Sequence, residues 1–235
     1  MTTRYRLHFA PDNASLIIRL ALEEMGLPYE TVLVDRARQA QRSAHYLAMN
    51  PNGLIPVLET PQGPLFETGA ILLWLSDTHR MLAPAPDDAD RGAYLKWLFF
   101  VSNTLHTDLR MTFYPQVYIG DDPAALAALT RTLQARLKTH LSHLDDVAGA
   151  APRWLDPQNP SGLAYYLACL MRWMALYPRD GNRGWYDLAA TPHLRTLLAG
   201  LELRPAVQTA RTAEGLGPTP FTNPQHAIPP EGSAT

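Results

Sequence analysis

Few polar side chains in this sequence lie at positions where they could bind or activate a ligand. The clearest are Asn13 and Ser15, the polar residues at the start of the first predicted helix. An amide or hydroxyl donor at a helix N-terminus can stabilise an anion, because the positive end of the helix dipole lies there. Either residue could instead only cap the helix, a role worth about 1 kcal/mol. The two interpretations are compatible, since a capping residue that faces a ligand can do both.

The other reactive residue types form no recognisable site. Cys169, the only cysteine, lies between Leu167 and Leu170 in an apolar helical stretch, and we expect it to be a buried small hydrophobe. The eight histidines include no His-Glu-x-x-His pattern and no paired carboxylates, so we expect no metal.

The composition indicates a protein with a substantial core. Of the 235 residues, 46% are hydrophobic, and the formal net charge is −2. Such a balanced charge gives no electrostatic footprint for nucleic acid. No apolar run is long enough to span a bilayer, and the first residues (MTTRYRLHFA) lack the apolar segment of a signal peptide. We therefore expect no nucleic-acid partner, no membrane association and a cytoplasmic location.

The apolar patterns predict two structurally different parts. Residues 4–80 follow the order β-α-β-α-β-β-α, in which the first strand–helix–strand run implies a parallel pair of strands. A proline-containing and acidic linker follows, and beyond it the patterns indicate only helices, the longest opening at Asp122-Pro123. The predicted division is an α/β domain, a linker, an all-helical domain and a proline-rich tail, over residues 1–80, 81–88, 89–218 and 219–235.

Residues 50–58 (NPNGLIPVL) carry the first specific resemblance. The segment resembles the N-P-x-G-x-[IV]-P-x-L motif of glutathione transferases. In that family the last proline, here Pro56, follows a cis peptide bond and begins the third strand. The resemblance implies that the backbone N–H and C=O of Ile55 pair with the cysteinyl backbone of glutathione, and that Asn52 belongs to the binding segment.

Residues 66–71 (FETGAI) carry the second. They are similar to the family's [E/Q]-[S/T]-x-x-I segment, which binds the γ-glutamyl end of glutathione. The resemblance implies that Glu67 takes the ammonium group, while Thr68 and the helix N-terminus hold the carboxylate. Gln41 or Arg42 could reach the glycine carboxylate, although a solvated helix face is the favoured interpretation.

The third resemblance is the order of the two parts and the ending at residues 204–207 (RPAV), similar to the family's R-P-[SA]-V finish. The resemblance covers residues 4–216, and all three features occur in the family's order. The chain is identified as a member of the glutathione transferase superfamily. This implies a thioredoxin-like α/β N-terminal domain, an all-α C-terminal bundle and a homodimer.

Among subgroups, residues 9–16 (FAPDNASL) most resemble the bacterial beta-class opening, aromatic-x-P-x-x-C-S-L. The class cysteine falls on Ala14, and the position that is often tyrosine falls on Phe9. A Leu-His pair ending at His106 resembles a pair in the fourth helix of that class, but threonine replaces the neighbouring basic residue.

The resemblance implies that the glutathione thiol is held as a thiolate by Asn13 or Ser15 and attacks a small apolar electrophile, as in detoxification. A free thiol has a pKa near 8.5, which a hydrogen-bond donor or a helix N-terminus lowers. The electrophile would occupy a cleft between the domains. The residues expected to line it are Phe9, His106, Phe113 and Tyr114.

Two other functions stay open because the class cysteine and tyrosine are missing. One is a non-catalytic protein that binds glutathione or a partner with the same fold. The other is glutathione-dependent peroxide reduction. Disulfide exchange is the least expected, because no cysteine remains to carry a mixed disulfide.

Overall fold

The computed structural model describes residues 5–228, and its N-terminal part contains a four-stranded sheet in the order β2-β1-β3-β4. β1 pairs in parallel with β2, whereas β1 with β3 and β3 with β4 are antiparallel. This mixed sheet confirms the predicted thioredoxin-like fold. The strands are β1 Tyr5–Phe9, β2 Tyr29–Leu33, β3 Val57–Thr60 and β4 Gly63–Phe66.

Three helices accompany the sheet, namely α1 Ser15–Glu24, α2 Ala44–Met49 and α3 Thr68–His79. Every residue of α1 from Ser15 to Leu22 is buried. The helix is buried because it contacts elements of both parts of the chain. These elements are β1, α3, α8 Gly162–Leu176 and α10 Pro205–Glu214. The first helix is therefore an interior element, although its sequence predicts one apolar face.

The rest of the described chain is helical, as predicted, with no strand between residues 67 and 228. A π-helical segment, Val101–Leu105, lies between the helices Arg91–Phe100 (α4) and His106–Phe113 (α5). The remaining helices are α4 Arg91–Phe100, α5 His106–Phe113, α6 Gln116–Ile119, α7 Pro123–Gly149 and α9 Pro192–Glu202, with short 3-10 turns at Ala40–Arg42, Arg153–Leu155 and Leu188–Ala190.

One continuous apolar cluster runs through both parts. It includes Leu7 of β1, Ile17 of α1, Leu72 of α3 and Leu167 of α8, all essentially inaccessible. The boundaries at residues 80, 88 and 218 remain our proposal. The segment between His79 and Arg91 contains neither helix nor strand. None of the helices in the described range has the length and apolarity needed to cross a membrane.

Candidate functional site

Three segments meet at one end of the sheet. His8 of β1 lies opposite Val57 of β3, and Val57 lies opposite Phe66 of β4. Because both pairs are antiparallel, the end of β1, the start of β3 and the end of β4 lie side by side. The loop before α1, the residue Ile55 and the residue Glu67 follow or precede these strand ends. The predicted site residues of these three segments thus lie at the same end of the sheet.

In the loop before α1, Asn13 is partly exposed. Its Oδ1 accepts a hydrogen bond from the backbone N–H of Ala14 at 2.8 Å. Within residues 5–228, its Nδ2 donor has no hydrogen-bond partner. The N-cap of α1 is Ala14, and no side chain caps the helix. The prediction that Asn13 or Ser15 caps this helix is therefore wrong, and the Asn13 amide remains available to a ligand.

Ser15 is fully buried. Its Oγ donates to the carbonyl of Ala10 at 3.1 Å and accepts from the N–H of Ala10 at 3.3 Å. The single hydroxyl proton is thus used inside the protein, where it ties the loop to the first turn of α1. The geometry does not favour Ser15 as the thiolate donor, and of the two candidates Asn13 is the one whose donor is unpaired among residues 5–228.

Side-chain hydrogen bonds and a cis peptide bond fix the conformation of the segment before β3. The Ile55–Pro56 peptide bond is cis, in agreement with the family resemblance. Tyr46 Oη and Asn50 Nδ2 both donate to the carbonyl of Leu54 at 2.8 Å. No hydrogen bond between described residues uses the backbone N–H or C=O of Ile55. These two groups, held beside a fixed peptide, can pair with an extended backbone in the manner of an added strand.

The turn at Gly53 has a φ of +62°, and a Cβ there would lie 2.9 Å from the carbonyl oxygen of Gln41. Only glycine fits this position without strain. Arg42 donates to the carbonyl of Asn52 at 3.4 Å, and the Asn52 side chain is exposed. Asn52 and Arg42 therefore lie together at the rim of the motif, whereas the Pro56 side is buried.

Glu67, the residue before α3, adopts a φ of +70° and a ψ of 112°. A non-glycine residue there stores about 1–3 kcal/mol of strain, and such outliers cluster at functional sites. Its carboxylate is exposed and caps no backbone group of α3. Thr68 is buried, and its side chain hydrogen-bonds Tyr166 of α8. The groups that α3 presents outward are therefore the Glu67 carboxylate and the first backbone N–H groups.

His106 is the first residue after the π-helical segment. Its Nδ1 lies 2.8 Å from the hydroxyl of Tyr166, and its ring lies 6.0 Å from that of Trp173. Burial, together with the nearby Arg110 guanidinium, lowers the pKa of His106 to about 4. The imidazole is therefore neutral at pH 7 and brings no charge to its surroundings.

Phe113 and Tyr114 are half-buried at the end of α5, with their rings 6.4 Å apart. The Phe113 ring also lies 6.1 Å from that of Tyr177. The ring of Phe9 is elsewhere, 4.9 Å below the guanidinium of Arg19, and among the described residues it makes no ring contact with the other predicted pocket residues. His106 therefore contacts Tyr166 and Trp173, Phe113 contacts Tyr114 and Tyr177, and Phe9 stacks against Arg19.

The sequence interpretation missed the aromatic residues of α8 and its end. Tyr166 and Trp173 contact the His106 ring, and Tyr177 contacts the Phe113 ring. The signal that could have found the first two is their presence, with Arg172, in the apolar helix α8.

The one cysteine behaves as predicted. Cys169 is fully buried, and burial raises the pKa of its thiol. No group of three or more His, Cys, Asp or Glu side chains suited to a metal lies within residues 5–228. The polar groups that the site offers to a ligand are therefore amide, carboxylate and backbone groups.

A mixed sheet of thioredoxin type, joined to a helical bundle and carrying a braced cis-proline loop beside a strained acidic residue, defines the glutathione transferase architecture. The model of the glutathione S-transferase N-terminal domain matches residues 14–78. Glutathione S-transferase GST-4.5 of Xanthomonas campestris pv. campestris is 27% identical, over 90% of this chain and 99% of that protein.

Solved structures agree. A sphingomonad glutathione S-transferase complexed with glutathione is 30% identical, with a TM-score of 0.71 over 90% of this chain and 100% of that one. A Pseudomonas putida glutathione transferase, with one glutathione disulfide bound per subunit, is 25% identical, with a TM-score of 0.75 over 88% of this chain and 90% of that one. This chain belongs to the glutathione S-transferase family.

Proposed function

We propose that this protein binds reduced glutathione at the end of its sheet and activates the thiol for attack on a small apolar electrophile. The observation that carries the proposal is the convergence of three unsatisfied features at one edge. They are the Asn13 amide donor, the free backbone groups of Ile55 and the strained, exposed Glu67. Each matches a different part of one tripeptide.

Glutathione would lie along the start of β3. Its cysteinyl backbone pairs with Ile55, and its γ-glutamyl ammonium meets the Glu67 carboxylate. The γ-glutamyl carboxylate is held by the N-terminus of α3, where backbone N–H groups and the helix dipole favour an anion. Thr68 supplies its backbone here, because its side chain is turned toward Tyr166. Asn52 and Arg42 form the rim on the glycine side, and Pro56 holds the shape.

The thiolate would sit at the start of α1. Asn13 Nδ2 donates to the sulfur, and the positive end of α1 adds to its stabilisation. The thiolate then attacks an electrophilic carbon, an S–C bond forms, and the leaving group departs with its electron pair. The thiol proton passes to solvent. A neutral His106 and the aromatic wall of Phe113 and Tyr114 favour an electrophile that is small and apolar.

The test is calorimetric titration with reduced glutathione, paired with ultraviolet titration of the bound thiol. The expected result is saturable binding and a bound thiol that ionises well below its solution pKa. Binding without that shift supports the second candidate, a non-catalytic glutathione-binding protein, for which the absent cysteine and tyrosine are the motivating observations. An absence of binding at millimolar glutathione would overturn the proposal.

Peroxide reduction uses the same thiolate and differs only in the electrophile. Turnover of a hydroperoxide in place of a carbon electrophile, with glutathione disulfide as product, would assign the reaction to that alternative. An enzyme assay with both substrate types, at saturating glutathione, separates the two.

The proposal includes a homodimer, which the family resemblance implies. On α4, Phe99 is 51% exposed, and Leu54 in the loop before Ile55 is 42% exposed. A homodimer interface that included these two side chains would remove their apolar surface from water. Sedimentation velocity that gives a mass near twice 26.1 kDa would support the dimer, and a mass near the monomer value would contradict it.

A further inference from the structure

The residue before Asn13 is the most constrained in the loop. Asp12 is fully buried and adopts a φ of +54°. Its backbone N–H donates to Glu214 Oε2 of α10 at 2.8 Å. A buried aspartate in the left-handed region persists only where the surroundings fix it.

The Asp12 carboxylate is saturated by donors from α8 and its end. Arg172 Nε donates to Oδ1 at 2.7 Å, and Arg172 Nη2 donates to Oδ2 at 2.9 Å. Trp173 Nε1 donates to Oδ1 at 2.8 Å, and Tyr177 Oη donates to Oδ2 at 2.8 Å. A buried ion pair is tolerable when, as here, further hydrogen bonds complete both oxygens.

Arg172 also holds the C-terminal tail. It donates to the carbonyl of Pro220 at 3.0 Å and to that of Gln225 at 2.6 Å. The guanidinium therefore connects three segments of the chain, namely the loop before α1, helix α8 and residues 220–225. None of these contacts involves the groups proposed to bind glutathione.

Two of the Asp12 donors also contact residues that are proposed to line the electrophile cleft. The Trp173 ring lies 6.0 Å from that of His106, and the Tyr177 ring lies 6.1 Å from that of Phe113. Asp12 thus joins the backbone that carries Asn13 to the aromatic side of the cleft. A shift of either side relative to the other must break at least one of these hydrogen bonds.

We infer that Asp12 is a positioning residue: through Arg172, Trp173 and Tyr177 it fixes the Asn13 donor relative to the electrophile cleft. The inference rests on the proposed function, since it assigns a task to Asp12 only if Asn13 faces a thiolate. The competing account is purely structural, in which the network holds α8 and the tail to the first domain and has no effect on the thiol.

The experiment removes single donors while it keeps an aromatic ring at each position. Tyr177→Phe and Trp173→Phe each delete one hydrogen bond to Asp12, and Asp12→Asn removes its charge. The matched control is Tyr186→Phe, because the buried Tyr186 hydroxyl has no hydrogen-bond partner in the described part of the chain. Each variant is assayed well below its melting temperature for glutathione affinity, bound-thiol pKa and kcat with a chlorodinitrobenzene electrophile.

The expected result for Tyr177→Phe is a bound-thiol pKa higher by about one unit and a kcat lower by about tenfold. The KM for glutathione should stay near the wild-type value, because Ile55 and Glu67 are untouched. Tyr186→Phe should change neither the thiol pKa nor kcat. If Asp12→Asn does not fold, the two ring-preserving variants decide the question.

Lower melting temperatures with an unchanged thiol pKa and kcat would overturn the positioning role and leave the network structural. A wild-type protein that binds glutathione without any thiol shift would overturn the proposed activation itself, and the positioning role with it. The wild-type titration, made before the variants are compared, keeps these two failures distinguishable.

Discussion

At the residue scale, Asn13 and Ser15 differ in whether their side chains still have a hydrogen-bond donor available to a ligand. The Asn13 amide donor is unpaired among the described residues, whereas the Ser15 hydroxyl is consumed by Ala10. Asn13→Ala should therefore raise the pKa of the bound glutathione thiol by about one to two units, because a hydrogen bond to a charged group contributes about 1.5–3 kcal/mol. Ultraviolet titration of the complex measures this.

Ser15→Ala is the contrasting variant. It leaves the backbone groups of Ala10 unsatisfied in a buried position, so unfolding free energy should fall by about 1–3 kcal/mol. The bound thiol should keep its wild-type pKa. If Ser15→Ala shifts the thiol pKa and Asn13→Ala does not, the roles of the two residues are the reverse of those proposed here.

Glu67 combines a strained backbone with an exposed charge, and two substitutions separate these properties. Glu67→Gly relieves the positive φ and should raise the free energy of unfolding by about 1 kcal/mol. Glu67→Gln keeps the strain and removes the charge. Both should weaken glutathione binding by about tenfold or more, because both remove the partner of the ligand ammonium. Calorimetry and urea unfolding measure the two effects.

Arg80 provides the control for backbone relief. It ends α3 with a φ of +54°, at the opposite end of the helix from Glu67. Arg80→Gly should stabilise the fold by a similar amount and leave glutathione affinity unchanged. Equal affinity losses in Arg80→Gly and Glu67→Gly would show that α3 rigidity, and not the Glu67 carboxylate, governs binding.

At the element scale, the sequence predicts the elements whose ends carry local signals. Pro123 at the start of α7 lies where proline is favoured, and this predicted boundary is confirmed. Gly215 ends α10 in the left-handed conformation that favours glycine. The π-helical turn at Val101–Leu105 is not predictable in this way, because its residues include no proline or glycine to signal a change of helix type. Its position, directly before His106, sets which face of α5 meets α8.

The same limit explains the error at the start of α1. Asn13 and Ser15 are residue types that favour caps. The loop instead follows the buried contacts of Asp12, which come from residues more than a hundred positions away. Motif spacing predicts that Ile55 and Glu67 belong to the proposed site, since the conformation at these two positions depends on adjacent residues. The loop before α1 instead finds its side-chain partners in α8 and the tail, and no local sequence pattern predicts those partners.

The helix pair α5 and α8 gives the protein a specific pH response. The pKa of His106 in the fold is about 4, below the ordinary value of 6.5, because burial opposes the charged imidazolium. The unfolded chain therefore binds a proton at higher pH than the folded chain. The stability that this histidine contributes is present above pH 6.5 and falls by up to about 3 kcal/mol as the pH approaches 4.

Urea unfolding of wild type and His106→Gln at pH 7, 6 and 5 tests this response. The wild type should lose more stability on acidification than the variant. Glu214 acts in the opposite direction, because burial raises its pKa to about 6, so only the difference between the two proteins isolates His106. His143→Gln, at an exposed site on α7, should match the wild type. Parallel pH curves for all three would contradict a buried neutral His106.

At the scale of the whole molecule, the described part of the proline-rich tail, residues 219–228, is a packed element. Phe221 is 2% exposed and belongs to the main apolar cluster. The carboxylate of Glu202 accepts from the N–H groups of Phe221 and Thr222 and from the Thr222 hydroxyl, each at 2.8 Å. Arg172 donates a hydrogen bond to the carbonyl of Pro220, so a buried anion, Glu202, and a buried cation, Arg172, both bind the tail. It therefore adds to the core that the two parts share.

Phe221→Ala should accordingly cost about 3–5 kcal/mol of unfolding free energy, the loss expected for a core aromatic residue and not for a terminal segment. The control is Ile228→Ala in the same tail, where the side chain is 77% exposed, and its effect should stay within about 0.5 kcal/mol. Urea unfolding at pH 7 measures both. If the two variants differ by less than their error, the tail folds independently of the core. If Phe221→Ala also raises the pKa of the bound thiol, the packing of the tail reaches Asn13 through Arg172 and Asp12.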